Sequence, residues 1–365
     1  VDFESAVSWK KLNLYPSLVR YRNQIALLRE YSHDPQQQSG QSMSKITYAQ
    51  ALIDGLHGCM SEDERVSVIG SYILGLSPLN SLVNRLREDF AGRISDPPIS
   101  EAAVAATGIG AAMAGHRPFI DIGTASFIFE AWSQIVNEAA NAHYMSGGQI
   151  TVPVVFHMLH GLRGGGGAQH SHSPQAMLFN CPGLEIVLPA SPADVKGLIR
   201  QAVLSDNPTI VIDHSKLLAI EEDVPDGNYT IPFGKANVRR HGGDATIVAT
   251  SLAVQTSLEA AEILSQNGIE TEVIDPRTIV PLDLDTILSS VEKTGRLVVV
   301  DEANLRCSVA SEIGMSVAEL AFSSLKAPIV RVTRPDVPVP FSPPLESHIA
   351  IDAVKIINAV EKVTR

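Results

Sequence analysis

Cysteine is scarce in this chain. Cys59, Cys181 and Cys307 stand far apart with no C-x-x-C pair. That excludes a disulfide framework or a thiolate zinc cluster and suits a reducing compartment. Long apolar runs are missing too, since none reaches the roughly 18 residues needed to span a bilayer. Positive charge is in deficit: 28 Lys and Arg face 40 Asp and Glu, a net charge of -12. Such a balance argues against nucleic-acid phosphate as a partner. The first residues, Val1-Asp2-Phe3-Glu4-Ser5, lack the basic and apolar regions of a secretory signal. A cytoplasmic location, with neither membrane nor nucleic acid as partner, is the expectation.

What is present is a soluble globular balance, 45% hydrophobic and 19% charged over 365 residues, which is long enough for two domains. Residues 1–42 read as an N-terminal arm and linker, amphipathic from Trp9 to Tyr31 and then rich in Gln, Ser and Gly. They suit an arm that packs on a partner or a tail from an upstream fused module. Apolar strand segments then alternate with helical ones: Val66–Gly70, Pro118–Ile122, Pro153–His157, Leu184–Leu188 and Pro208–Ile212 as strands, Tyr48–Met60, Leu79–Phe90, Phe127–Met145 and Pro192–Leu204 as helices. The pattern breaks into Pro- and Gly-containing sequence between Glu221 and Gly243, and a second α/β series follows. The expected domains are therefore 43–226 and 227–365. Strands joined by helices imply two doubly wound α/β domains, each with a parallel sheet covered on both faces.

One acid stands out. In Asp96-Pro97-Pro98-Ile99-Ser100-Glu101 the prolines hold the chain extended until Ser100, a suitable N-cap, hands over to a helix. Glu101 falls in its first turn, where the macrodipole favours negative charge. The following Ala- and Gly-rich segment carries almost no polar side chains, so the helix is expected to be buried on most sides. Glu101 reads either as a capping acid or as a carboxyl that shares a proton with a bound heterocycle in a dry site.

A second stretch runs from His157 to Pro174 and contains four consecutive glycines, Gly164 to Gly167, with His157, His160, His170 and His172. It follows a strand, where open α/β sheets place their sites. Ordering four glycines costs entropy, which suits close backbone approach to a ligand or a moving loop. The histidines admit three readings: a metal site centred on the His170 and His172 pair, hydrogen bonding in a surface loop, or proton transfer and substrate binding at a cleft. Phe127, at a strand-to-helix turn, is either core or a platform for a flat ring. Gly243-Asp244-Ala245 with Asn267 is too weak a match to a diphosphate-metal motif, because its third residue is Ala and it opens a strand.

Several stretches, in this order, carry a family resemblance: Pro98-Ile99-Ser100-Glu101, Tyr144-Met145-Ser146-Gly147-Gly148, Gly167-Ala168-Gln169-His170-Ser171, Cys181-Pro182-Gly183-Leu184, Ala193-Asp194-Val195-Lys196-Gly197-Leu198 and Arg334-Pro335-Asp336-Val337-Pro338-Val339-Pro340-Phe341. Together they resemble the beta subunit of the first, decarboxylating component of 2-oxo acid dehydrogenases, of the pyruvate, branched-chain and acetoin type, within the transketolase-like thiamine diphosphate enzymes. The resemblance implies a transketolase-like pyrimidine-binding domain followed by a transketolase C-terminal-like domain, the second serving assembly and carrier docking rather than chemistry. It implies that Glu101 hydrogen-bonds the aminopyrimidine N1′ and favours the imino tautomer, whose exocyclic nitrogen deprotonates the thiazolium. Ile99 would line the pyrimidine pocket, Phe127 would pack on the ring, and His170 would guide protons and acyl transfer at the reacting carbon. The family's diphosphate and Mg²⁺ motif belongs to the alpha subunit, so an α2β2 heterotetramer is implied, active only with that partner. A potassium ion bound by backbone carbonyls near Val154, Ala202, Ser205 and Asn207 is also implied.

The chain departs from the pattern. Ser71-Tyr72 stand where such subunits usually carry two acids that help to relay protons between paired sites. His172 stands where Gln is common, and His157 and His160 where Arg and other residues are usual. These histidines are candidate substrate contacts, and extra neutral donors with fewer cations suit a hydroxylated ketone. Three functions follow. The first is decarboxylation of a 2-oxo acid with acyl transfer to a lipoyl domain or other carrier. The second is transketolase-like transfer of a two-carbon hydroxyacyl unit from a ketose to a carrier protein or sugar. The third is a non-catalytic scaffold subunit.

Overall fold

The computed structural model describes residues 42–70 and 80–365. All but the last residue of the arm expected over residues 1–42, and the Ser71-Tyr72 pair, lie outside the described residues. In chain order the strands are β1 (Met43–Thr47), β2 (Val66–Ile69), β3 (Ile94–Ser95), β4 (Arg117–Thr124), β5 (Val155–His160), β6 (Glu185–Val187), β7 (Thr209–His214), β8 (Glu221–Pro225), β9 (Asn237–Arg240), β10 (Ala245–Ala249), β11 (Thr271–Asp275), β12 (Thr278–Val280), β13 (Leu297–Asn304) and β14 (Val330–Arg334).

Among the described residues the larger sheet has the order β12-β6-β7-β5-β4-β2-β3. Its strands run parallel except β12, which joins β6 antiparallel at the edge. The second sheet has the order β14-β13-β10-β11-β9, with β9 antiparallel to β11. Each sheet thus carries one antiparallel edge strand that the helix-strand rhythm did not announce. β1 and β8 form a separate antiparallel ribbon.

The central strands β5 and β7 are buried along their whole length, as parallel strands covered on both faces must be. Their polar residues therefore have nowhere to go but the interior, and this decides the fate of several histidines below. On one face of the larger sheet, helix Tyr48–Glu62 packs against helix Pro192–Leu204. Thr47 caps the first through the Gln50 N–H at 3.1 Å, and Ser191 with Pro192 starts the second.

The other face carries helix Glu101–Met113 and the segment after β4. Two expectations change here. Helix Glu101–Met113 buries one side only, through Val104, Ala105, Gly108, Ile109 and Ala112. Ala103, Ala106, Thr107, Gly110 and Met113 are exposed, since a helix of small residues can lie against the sheet without being enclosed. The helix expected from Phe127 to Met145 is three pieces: a 3-10 run over Ala125–Ala131, π turns over Ser133–Ala139 and an α-helical end over Ala140–Met145. Gly183 presses against this segment so closely that a Cβ there would lie 2.1 Å from the Ala140 carbonyl oxygen.

Candidate active site

The site grows from the carboxyl ends of β4 and β5. Leaving β5, the chain turns at Gly161 with φ +87°. Only glycine fits, because a Cβ would stand 2.1 Å from His214 Nε2 and 2.9 Å from Glu302 Oε1. Next, Leu162 N–H donates to Glu302 Oε1 at 2.8 Å. Gly164 and Gly165 N–H donate to the two oxygens of Glu346 at 2.6 and 2.7 Å. Arg334 Nη1 donates to the Ser171 carbonyl at 3.0 Å. Phe341 packs on the loop, 3.2 Å from where a Cβ of Gly167 would be. Glu302, Arg334 and Glu346 are all buried; Arg334 opens one of the stretches that carry the resemblance but was given no role, and Glu302 and Glu346 were not singled out at all. No local spacing ties the two glutamates to a loop so far away, so no sequence signal was available for them.

The loop presents His170 to the surface. Its ring meets the half-buried Phe127 ring edge to face, with centroids 5.5 Å apart and planes at 82°. His172 makes the same kind of contact with Phe129, at 5.5 Å and 89°. Partial burial, with help from Arg334, holds the His172 pKa below its ordinary value. The 125–131 turn that carries Phe127 packs against both helix Glu101–Met113 and the 168–170 turn. These three segments, dispersed in sequence, therefore form one neighbourhood. Glu101 opens its helix half-buried, beside Ile99, whose side chain is 74% exposed. Ser100 has the extended geometry of an N-cap without a side-chain cap bond.

His157 and His160 do not join them, and the substrate role expected of both is withdrawn. His157 is fully enclosed, with Nε2 2.8 Å from Asp213 Oδ2 and Nδ1 3.6 Å from Asp121 Oδ1. Tyr48 donates its hydroxyl to the same Asp213. Burial opposes a charge on His157, yet the two aspartates outweigh it and hold the pKa up at about 9. His160 is equally enclosed, bonded to Ser173 Oγ at 3.1 Å and Ser251 Oγ at 3.0 Å. Burial first, then the nearby His214, pushes its pKa down to about 3, so it stays neutral. His214 in turn pairs with Glu302 at 3.0 Å. Despite the cost of burial, His214 leads the interactions that bring the Glu302 pKa down to about 2.

One cation does stand at the loop. Arg163, half-buried in the loop, donates to Thr124 Oγ1 at 3.3 Å and to the Leu159 carbonyl at 3.2 Å. Arg163 thus bridges the loop to the turn that bears Phe127.

Among the described residues no group of three His, Cys, Asp or Glu could hold a metal ion. Of the carbonyls around the expected potassium position, Val154 accepts from Thr209 N–H at 2.9 Å and Ala202 from Ser205 N–H at 3.3 Å. Arg117 donates to the Val203 and Ser205 carbonyls at 3.0 and 2.9 Å. Asn207 Nδ2 donates to Glu185 Oε1 at 3.1 Å.

Comparison with known proteins bears on the same regions. The transketolase pyrimidine binding domain matches residues 44–221, and the transketolase C-terminal domain matches residues 234–356. The chain is 40% identical over 328 residues to the beta subunit of acetoin:2,6-dichlorophenolindophenol oxidoreductase from Cupriavidus necator, a match covering 87% of this chain and 97% of the relative. It is 40% identical over 320 residues to the beta subunit of the pyruvate dehydrogenase E1 component from Rickettsia bellii, covering 87% and 98%. A solved split gene transketolase, described as an inactive beta4 tetramer, has the same fold with a TM-score of 0.72 at 22% identity, covering 89% of this chain and 99% of that one.

Proposed function

Because the chain belongs to the beta-subunit family of 2-oxo acid and acetoin dehydrogenases, we propose that it is the pyrimidine-binding subunit of a thiamine diphosphate enzyme that decarboxylates a 2-oxo acid. The acyl group would pass to a lipoyl domain or another carrier. The proposal takes residues 43–226 as the pyrimidine-binding unit and 227–365 as the second. An alpha partner would hold the diphosphate and Mg²⁺, in an α2β2 assembly active only as a whole, in the reducing cytoplasm that free thiols suit.

The observation that carries this reading is the contact of Phe127 with His170 beside the helix that opens at Glu101. The residues present suit a flat heterocycle. Phe127 is half-buried, Ile99 stands open, and a carboxyl lies next to it at a helix start. In this reading Glu101 holds a proton at the pyrimidine N1′, Phe127 and Ile99 flank the ring, and His170 handles a proton at the reacting carbon. When bound, the cofactor supplies the electron sink that cleavage beside a carbonyl requires. The proposal keeps a potassium ion at the carbonyls near Val154 and Ala202, where each oxygen that accepts from a protein N–H has a second lone pair.

The test is a reconstitution. The full chain is co-purified with its alpha partner, loaded with thiamine diphosphate and Mg²⁺, and offered pyruvate, branched-chain oxo acids and ketose phosphates. Carbon dioxide release supports the proposal. Aldose release would replace it with two-carbon ketol transfer, and silence with every donor would leave a scaffold subunit.

A further inference from the structure

The glycine-rich loop cannot order itself. Gly164, Gly165 and Gly167 have φ of +83°, +113° and +67°, and glycine loses more backbone freedom on ordering than any other residue. A side chain added at Gly164 would meet nothing within 4 Å, so packing does not hold the loop at that point. A carboxylate does. Glu346, 3% exposed in helix Pro343–Ile349, spends one oxygen on the Gly164 N–H and the other on the Gly165 N–H. Two adjacent N–H donors ask for two acceptor oxygens, and the two oxygens of a carboxylate side chain supply them. Glutamine would turn an amide N–H toward one of them, and aspartate is one methylene short. The same unit grips the end of the loop, where Arg334 meets the Ser171 carbonyl, and its start, where Glu302 meets Leu162 N–H.

His170 lies between these grips. Its ring touches Phe127, but its backbone position is set by how the loop is held on either side. We propose that Glu346 is a positioning residue for His170, acting through the loop amides, so that the second unit shapes the site rather than serving only assembly and docking. The catalytic side of this inference rests on the proposed function, whereas the clamp itself does not.

The test uses the full chain assembled with its alpha partner and cofactor. In Glu346→Ala, hydrogen exchange of the amides from Leu162 to Ser171 should quicken at least tenfold while those of β5 and β7 keep their rates. With a turned-over donor, kcat should fall at least tenfold with KM moving less than threefold. Glu346→Ala combined with His170→Ala should be no slower than His170→Ala alone, and Glu346→Asp should recover part of the loss. If Glu346→Ala does not fold, Glu346→Gln, of the same size, is read in the same way. Unchanged loop exchange, or losses that multiply in the double variant, would overturn the inference. If the wild-type complex turns over no donor, the proposed function falls and exchange alone decides the clamp.

Discussion

His157 Nε2 lies 2.8 Å from Asp213 Oδ2 with neither side chain reaching solvent. A cation is thus built into the larger sheet between Asp213 and Asp121, and its pKa stands near 9 against the ordinary 6.5. A raised folded value means the contribution to stability is fully present below about pH 6.5 and disappears as pH climbs through about 9. Urea unfolding at pH 6 and pH 9.5 should show a loss on the order of 3 kcal/mol. Asp213→Asn should abolish most of that difference; a wild-type stability flat across this range would contradict the charged assignment.

Glu101→Gln keeps the shape of the side chain and removes its acidity. Assembly with the partner and the melting temperature should stay within a few degrees of wild type, because the residue is half-buried and caps no buried group. Turnover should fall by about 100-fold or more. A variant that turns over at the wild-type rate would remove Glu101 from the cofactor.

Phe127→Ala removes both the expected ring platform and the edge contact with His170. Titration of the assembled complex with thiamine diphosphate should give about tenfold weaker binding, in line with the roughly 0.5–1.5 kcal/mol of an aromatic pair plus lost apolar area. Unaltered affinity would place the pyrimidine elsewhere.

Gly161→Ala tests the corner after β5. A methyl there collides with His214 and forces an L side chain to φ +87°. The expected cost is at least about 3 kcal/mol, read as a large fall in melting temperature or loss of soluble protein. Near-wild-type stability would mean that the His214–Glu302 pair can move aside.

The alternation of strand and helix, the extended Pro-Pro turn before Glu101 and the glycine-rich loop at a strand end were legible because each rests on local rules of period and backbone freedom. Phe127 and His170 could be named from motifs alone. Their meeting, and the withdrawal of His157 and His160 from the surface, could not. The run from Phe156 to Leu162 gives no hint of which histidine ends inside, since that depends on how many neighbouring strands cover β5.

Sequence by itself determined the alternating strands and helices of the two main sheets, their order and the family, but not the antiparallel edge strands or the broken segment after β4, because the former follow from short-range chemistry and from matched stretches of residues. Only the tertiary structure decided which charges face one another. Glu302, Arg334 and Glu346 reach the loop because the second sheet packs beside the first, and a carboxylate about 180 residues away leaves no trace in local sequence. Its charge-assisted hydrogen bonds gain their strength where water is excluded and must offset the cost of desolvating both partners, a balance that exists only once the chain has folded.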